Sequence, residues 1–311
     1  MGKQKEQPSG LSLLVPQYWP AWFGIFLLRL TILLPFSWVM ALGRAVGRLG
    51  FRYATKRRRI ADINLQLCFP EWDEGKRQQG LKRHFESLGM GLFEIPMGWW
   101  TPSSRLQKLL YIEGVEHLEK ALQNGKGAIL LSAHFTSLEL GGRLLSLHAP
   151  FHAMYRSHDN PVVEKIMAGS RTKHLNKAIP RDDVRGMLRS LKGNHAVWYA
   201  PDQNTQRKAA AFVSFFGQVA STNTATARLA RLTGASVVPY HVVRREDGSG
   251  YNVILEPALT DYPSGNLEAD TQRVNDIIEG WVRKNPAQYL WIHRRFRTRP
   301  TRGDPSPYAN I

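Results

Sequence analysis

The chain has 311 residues, 43% of them hydrophobic, with 42 Lys plus Arg against 25 Asp plus Glu, a formal net charge of +17 and a pI of about 10.2. That length and apolar content exclude a disordered tail or a disulfide-stapled miniprotein and allow one large or two ordinary domains. The single cysteine, Cys68, excludes an internal disulfide and a thiolate metal centre, and the basic excess implies an anionic partner, for which nucleic acid, acidic lipid headgroups and an acidic protein qualify alike.

After a tail over 1–16, residues 17–43 carry one charge, Arg29, and as one helix are long enough to cross a hydrocarbon layer of about 30 Å. The expectation is a membrane-anchoring helix. Arg29 and the helix-breaking Pro35 keep a tilted or interfacial segment open, and a buried core helix is the third reading. A signal peptide has an apolar region of only about 7–15 residues and ends in small residues, whereas this run leads into Arg44, Arg48, Arg52 and Lys56. On a helix those four form one cationic stripe, suited to anionic lipid or to plain solvation. Their excess over Lys3 and Lys5 predicts a single pass with the carboxy-terminal part in the cytoplasm.

From 44 to 300 no repeat or low-complexity linker interrupts the chain, which predicts one compact domain followed by an irregular, Pro- and Gly-containing tail over 301–311. Helical spacing dominates to about Leu110. Beyond it, apolar runs at 127–133, 151–156, 195–200, 211–217, 236–243 and 251–257 predict strands, and helical patterns fall at 161–174, 181–192, 222–233 and 267–284. The alternation predicts an α/β fold with a mixed, largely parallel central sheet flanked by helices, whose ligands sit at the carboxyl ends of the strands.

The first such end holds His134, with Glu139 five residues on. An imidazole before a helix start meets a carboxylate in the first turn, which would fix the tautomer and steady the imidazolium formed when the ring removes a proton. Thr136 and Glu139 equally fit a capping box, in which Glu139 only closes the helix start. No G-x-S-x-G elbow activates a serine, His148 and His152 are separated by Pro150, and no P-loop or GxGxxG is present, so the reading includes neither metal nor cofactor. Tyr155 and Arg156, at the end of another strand, are candidate phosphate binders.

The stretch SAHFTSLELGGR resembles the HxxxxD/E motif of glycerolipid-type acyltransferases and, in its Glu form, the late acyltransferases of lipid A biosynthesis. YWPAWFGI, NLQLCFPE, MYRSHDNPVVE, WYAPDQN, LARLTGASVVPY and YLWIHRRFRTRP are similar to blocks of that family in the same order, over nearly the whole chain. The likeness is to the lauroyl acyltransferase branch. The resemblance implies transfer of a fatty acyl group from acyl carrier protein to a hydroxyl of a 3-hydroxyacyl chain on Kdo2-lipid IVA, at the bacterial inner membrane, with His134 as base and Glu139 as its orienter. It adds Arg171 and Asp202 as contributing residues. It makes acyl carrier protein, a lipid A precursor and an anionic membrane the basic protein's partners, rather than nucleic acid. The alternatives are an acyltransferase acting on another membrane lipid, such as a lysophospholipid or ornithine lipid, and a non-enzymatic nucleic-acid binder using the basic, aromatic stretch WIHRRFRTR.

Overall fold

Pro35 divides the apolar run into two helices. The computed structural model describes residues 10–155, 157–180, 182–206, 208 and 210–311. In it α1 (Trp19–Leu30) has 12 residues, a 3-10 turn follows at Thr31–Leu33, and α2 (Phe36–Tyr53) starts after Pro35. At 1.5 Å per residue α1 is about 18 Å long, short of a hydrocarbon core. Among the described residues no helix is long and apolar enough to cross a membrane, so the expected single membrane-spanning helix over 17–43 is not formed. The turn is fixed by Arg105, whose guanidinium donates to the carbonyls of Ile32 and Leu34, oxygens that a continuous helix would have satisfied itself. Ala54 then ends α2 outside the helical region (φ −83°, ψ 58°), so Lys56 falls in the next helix, α3 (Thr55–Cys68), and the cationic stripe comprises only Arg44, Arg48 and Arg52.

The longest helix, α4 (Glu74–Trp100), is capped by Asp73, whose carboxylate accepts from the Lys76 amide at 2.7 Å. It packs along α2 at very short range. A Cβ on Gly47 would lie 2.2 Å from the Phe85 oxygen and one on Gly89 2.1 Å from the Gly43 oxygen, so glycine is required where the two backbones cross. A short α5 (Ser103–Gln107) leads into the sheet.

Seven strands form that sheet: β1 (Leu110–Glu113), β2 (Ala128–Leu131), β3 (His152–Tyr155), β4 (Lys177–Pro180), β5 (Ala196–Tyr199), β8 (Ser236–Arg244) and β9 (Tyr251–Leu255), in the spatial order β1-β9-β8-β2-β5-β3-β4. Only the β8/β9 pair is antiparallel. The remaining strands, β6 (Ala210–Phe215) and β7 (Gln218–Asn223), make a separate hairpin whose two turn residues, Phe216 and Gly217, both have positive φ, as a two-residue type I′ turn demands. The helices between strands are α6 (Val115–Gln123), α7 (Leu138–Leu145), α8 (Pro161–His174), α9 (Val184–Lys192) and α10 (Ala225–Thr233), and α11 (Leu267–Lys284) follows β9. Asn160, Asp183 and Asn266 cap α8, α9 and α11 through side-chain oxygens.

Successive residues of β2 alternate between two cores, the sign of a strand covered on both faces. Ile129 and Leu131 join Leu65, Phe85, Leu191 and Ile278 on one side, and Ala128 and Leu130 join Met40, Phe93, Leu140 and Leu144 on the other. The result is an α/β fold with a mostly parallel central sheet flanked by helices.

Candidate active site

Strands β2 and β5 are parallel neighbours with Leu131 opposite Tyr199. His134 lies three residues past the first and Asp202 three residues past the second, so equal extensions from one register bring the two side chains together. The His134 Nδ1 is 2.7 Å from Asp202 Oδ1, and the His134 amide donates to Oδ2 at 3.0 Å. Asp202 is buried, whereas the imidazole keeps 23% of its surface. Burial alone would depress the imidazole pKa; the Asp202 charge and hydrogen bond outweigh it and hold His134 above its ordinary 6.5. Burial pushes the Asp202 carboxyl up, but the imidazole, its hydrogen bonds and the Arg295 guanidinium bring it down to about 2.

Glu139 is oriented elsewhere. Arg171 of α8 grips it through Nη2 at 2.7 Å and Nε at 3.3 Å, and the Trp99 indole donates to it at 3.1 Å. The expected contact between Glu139 and the imidazole is replaced by these two. The capping box also fails to form: Ser137, not Thr136, is the N-cap of α7, and it caps without a side-chain hydrogen bond. Thr136 instead turns its hydroxyl to Ser87 and Arg244. Tyr155, at the end of β3, lies under Arg171 with its ring centre 5.4 Å from the guanidinium carbon. Arg156 lies outside the described residues.

The site therefore has two halves at the carboxyl end of the sheet, His134 with Asp202 and Glu139 with Arg171. Trp198 of β5 joins them, its ring 6.3 Å from that of His134 and edge-on to it. From there a cleft of about 600 Å³ runs between α4, α7 and α8, lined by Trp99, Leu138, Phe151, Ala153, Leu175 and Trp198, with Glu139 and Arg171 among its few polar groups. One nitrogen of Arg171, Nη1, is buried without a hydrogen-bond partner among the described residues.

Around Asp202 a second cluster packs closely, with Asn64, Tyr289, His293 and Arg295 among its members. Arg295 is fully buried and donates to the Ser221 carbonyl at 2.8 Å and the Thr222 hydroxyl at 2.7 Å. Burial holds His293 down at about 4, and its Nε2 accepts from the Asn204 amide at 3.0 Å, consistent with a neutral ring. The sequence reading did not single out Trp99, Trp198, Tyr289 or His293. Cys68 is buried, and burial pushes its thiol pKa far up, which leaves it unreactive.

A family model for bacterial lipid A biosynthesis acyltransferases matches residues 7–298. The chain is 37% identical over 298 residues to the lipid A biosynthesis lauroyltransferase of Escherichia coli K12, covering 96% of this chain and 97% of that one. It is 40% identical over 295 residues to the lipid A biosynthesis palmitoleoyltransferase of the same strain (94% and 95%). To the lipid A biosynthesis myristoyltransferase of that strain it is 27% identical over 301 residues (94% and 91%).

Proposed function

The chain belongs to the bacterial lipid A biosynthesis acyltransferase family and is an acyltransferase, and from that premise we propose that it moves a fatty acyl group from acyl carrier protein to a hydroxyl of a 3-hydroxyacyl chain on Kdo2-lipid IVA or a related lipid A precursor. The observation that carries this reading is an imidazole held by a buried carboxylate beside an apolar cleft. With Nδ1 occupied by Asp202, the other ring nitrogen, Nε2, takes the proton of the lipid hydroxyl. The hydroxyl oxygen attacks the thioester carbonyl directly, the C–O bond forms as the C–S bond breaks, and the proton passes from His134 to the leaving thiolate. Asp202 fixes the tautomer and steadies the imidazolium. Arg171, held by Glu139, offers its unpartnered Nη1 to the developing oxyanion or to a substrate phosphate. The step uses no cofactor.

The cleft takes a hydrocarbon chain because its lining is mostly apolar. Lauroyl remains the reading for the donor, with palmitoleoyl close behind, since relatives named for each are similarly alike to this chain. The protein acts at the cytoplasmic face of the inner membrane, where α1 lies in the interface plane rather than across the bilayer. Its exposed Trp19, Phe23, Phe26 and Leu30 support this, and so does the packing of its other side against Val162 of α8, the helix that also borders the cleft.

The deciding experiment incubates the purified protein with lauroyl-acyl carrier protein and Kdo2-lipid IVA and weighs the lipid product. A gain of one lauroyl group with release of free carrier thiol is expected. No mass change with that acceptor, but acylation of a lysophospholipid or ornithine lipid, overturns the acceptor in favour of another membrane lipid.

A further inference from the structure

We infer that the buried Glu94–Arg244 ion pair is a positioning device for the loop that carries His134, acting through the Thr136 hydroxyl; the inference rests on the acyl-transfer reading above. Arg244 ends β8, Glu94 lies on α4, and both are shut away from solvent. The guanidinium grips the carboxylate through Nε and, at 2.7 Å, through Nη2; the Tyr251 hydroxyl donates to the same carboxylate at 2.6 Å. The remaining nitrogen, Nη1, donates to Ser87 Oγ at 2.6 Å and to Thr136 Oγ1 at 2.9 Å, and those two hydroxyls are 2.7 Å apart.

Thr136 stands two residues after His134 and three before Glu139, so a clamp on it governs how the two halves of the site sit relative to one another. Its amide is held independently by the Gln288 carbonyl at 2.8 Å, and the His134 carbonyl by the Leu290 amide at 3.0 Å. The main chain of Arg244 is in turn bridged by the Gln288 side chain, at 2.8 and 3.1 Å. The loop is thus tied at Asp202, at Gln288–Leu290 and at Arg244, and the last tie rests on an ion pair of which neither member belongs to the loop. Taking two charges out of water is unfavourable, and well-packed apolar residues of like volume commonly serve stability as well or better. What an apolar pair cannot supply is a directional hydrogen bond to Thr136.

Two sets of variants test this in the purified full chain, with Tm, kcat and KM for lauroyl-acyl carrier protein measured on each. The first combines Glu94→Leu, Arg244→Met and Tyr251→Phe, which removes both charges and leaves no hydroxyl of the pair orphaned, while Ser87 and Thr136 still bond each other. The second compares Thr136→Val with Thr136→Ser. A positioning role is expected to lower kcat of the triple variant by about tenfold to a hundredfold, the scale of a misplaced reacting group, with KM within about twofold and Tm no lower than that of wild type. Thr136→Val should lose kcat in the same way and Thr136→Ser should recover it. A folded triple variant with wild-type kcat overturns the inference; if that variant does not fold, wild-type kcat in Thr136→Val overturns it. Absence of transfer by the wild-type protein in the same assay instead defeats the acyl-transfer reading, and the positioning role with it.

Discussion

In the proposed mechanism the imidazole must accept a proton and works only in its neutral form, so the Asp202 charge that orients His134 would also set the pH at which it works. Because that charge holds the His134 pKa above 6.5, the rise of kcat/KM with pH is expected to lie above that value. Asp202→Asn leaves burial alone to act, so the rise should move to lower pH while kcat falls by about a hundredfold. A pH–rate profile of the variant checks both; an unmoved limb with full kcat would remove Asp202 from the mechanism. Linkage gives a second reading of the same pair. The folded Asp202 value, about 2, is below the ordinary 3.8, so its stabilisation is present above about pH 4 and is lost as pH falls toward 2. His134, raised when folded, stabilises below its ordinary value and loses that contribution as pH rises through its folded value. Glu139→Gln tests the other half. With its contacts on Arg171 and Trp99, it is expected to leave the limb in place and raise KM by about tenfold through the loosened guanidinium; a shifted limb would restore the His134–Glu139 dyad. His134 was legible in the sequence because it ends a buried apolar strand. Asp202 entered only through the family resemblance, and its pairing with His134 was not legible, because spacing along the chain favours the nearest carboxylate. The pairing depends on β2 and β5 being neighbours, which sequence distance does not reveal.

Helix α4 supplies the support under both halves, and it does so with one face. His84, Ser87, Gly91, Glu94 and Gly98 recur at intervals of three and four, so they line up along the helix. They meet, in order, the Ala287 carbonyl at 3.2 Å, the Thr136 hydroxyl, the Thr136 backbone, Arg244 and the backbone of Glu139–Leu140. On its other side α4 is pressed against α2 through the crossing glycines. Gly47→Ala would set a Cβ 2.2 Å from the Phe85 oxygen, whereas at Gly50 the nearest atom is a side-chain carbon at 3.6 Å. The first substitution is expected to destabilise by about 1–3 kcal/mol as overpacking, and the second to be neutral or stabilising by up to about 1 kcal/mol from helix propensity. Thermal melts of the two compared with wild type decide it, and equal Tm values would refute the tight crossing. Elements with a strong period were visible beforehand: the spacing predicts helices at 161–174 and 267–284, where α8 and α11 lie. Strands β1 and β4 escaped because they are the two edges of the sheet, four residues each and half exposed, too short for their pattern to stand out from the sequence around them. Strand β7 escaped because its sequence, QVASTN, is largely polar. The apolar run 17–43 misled for the opposite reason. Its composition suits lipid, but Pro35, Arg105 and the α2 glycines fold half of it onto the protein.

At the scale of the whole molecule the +17 charge and the bare side of α1 belong together. Phe23, Phe26 and Leu33 keep 63%, 56% and 75% of their surface, more apolar exposure in one short stretch than a freely soluble surface normally leaves. The opposite side of α1 is seated through Ile25 against Val162, and Arg29 lies 5.6 Å from the Trp100 ring centre, so the helix is held in place rather than dangling. In the proposed interfacial placement, a helix fixed in this way would present its apolar side as the inserting surface, and the exposed Arg52 of α2 would add attraction for anionic headgroups, whereas Arg48 is paired with Glu86 at 2.7 Å. Replacing Phe23, Phe26 and Leu33 together by Ser is expected to weaken binding to anionic vesicles by at least about tenfold. Each large apolar side chain contributes up to about 1.5–3 kcal/mol when fully buried, and interfacial insertion recovers part of that. Because none of the three is buried, Tm should stay near the wild-type value. Vesicle flotation at two salt concentrations separates the contributions: wild-type binding should fall as salt rises, through the basic residues, and the triple variant should fall further. Turnover of lipid acceptor presented in vesicles should drop with binding, while turnover of acceptor dispersed in detergent should not. Undiminished flotation of the triple variant would show that α1 is not the inserting surface, and a vesicle-only loss of turnover would tie that surface to delivery of the acceptor into the cleft beside α8.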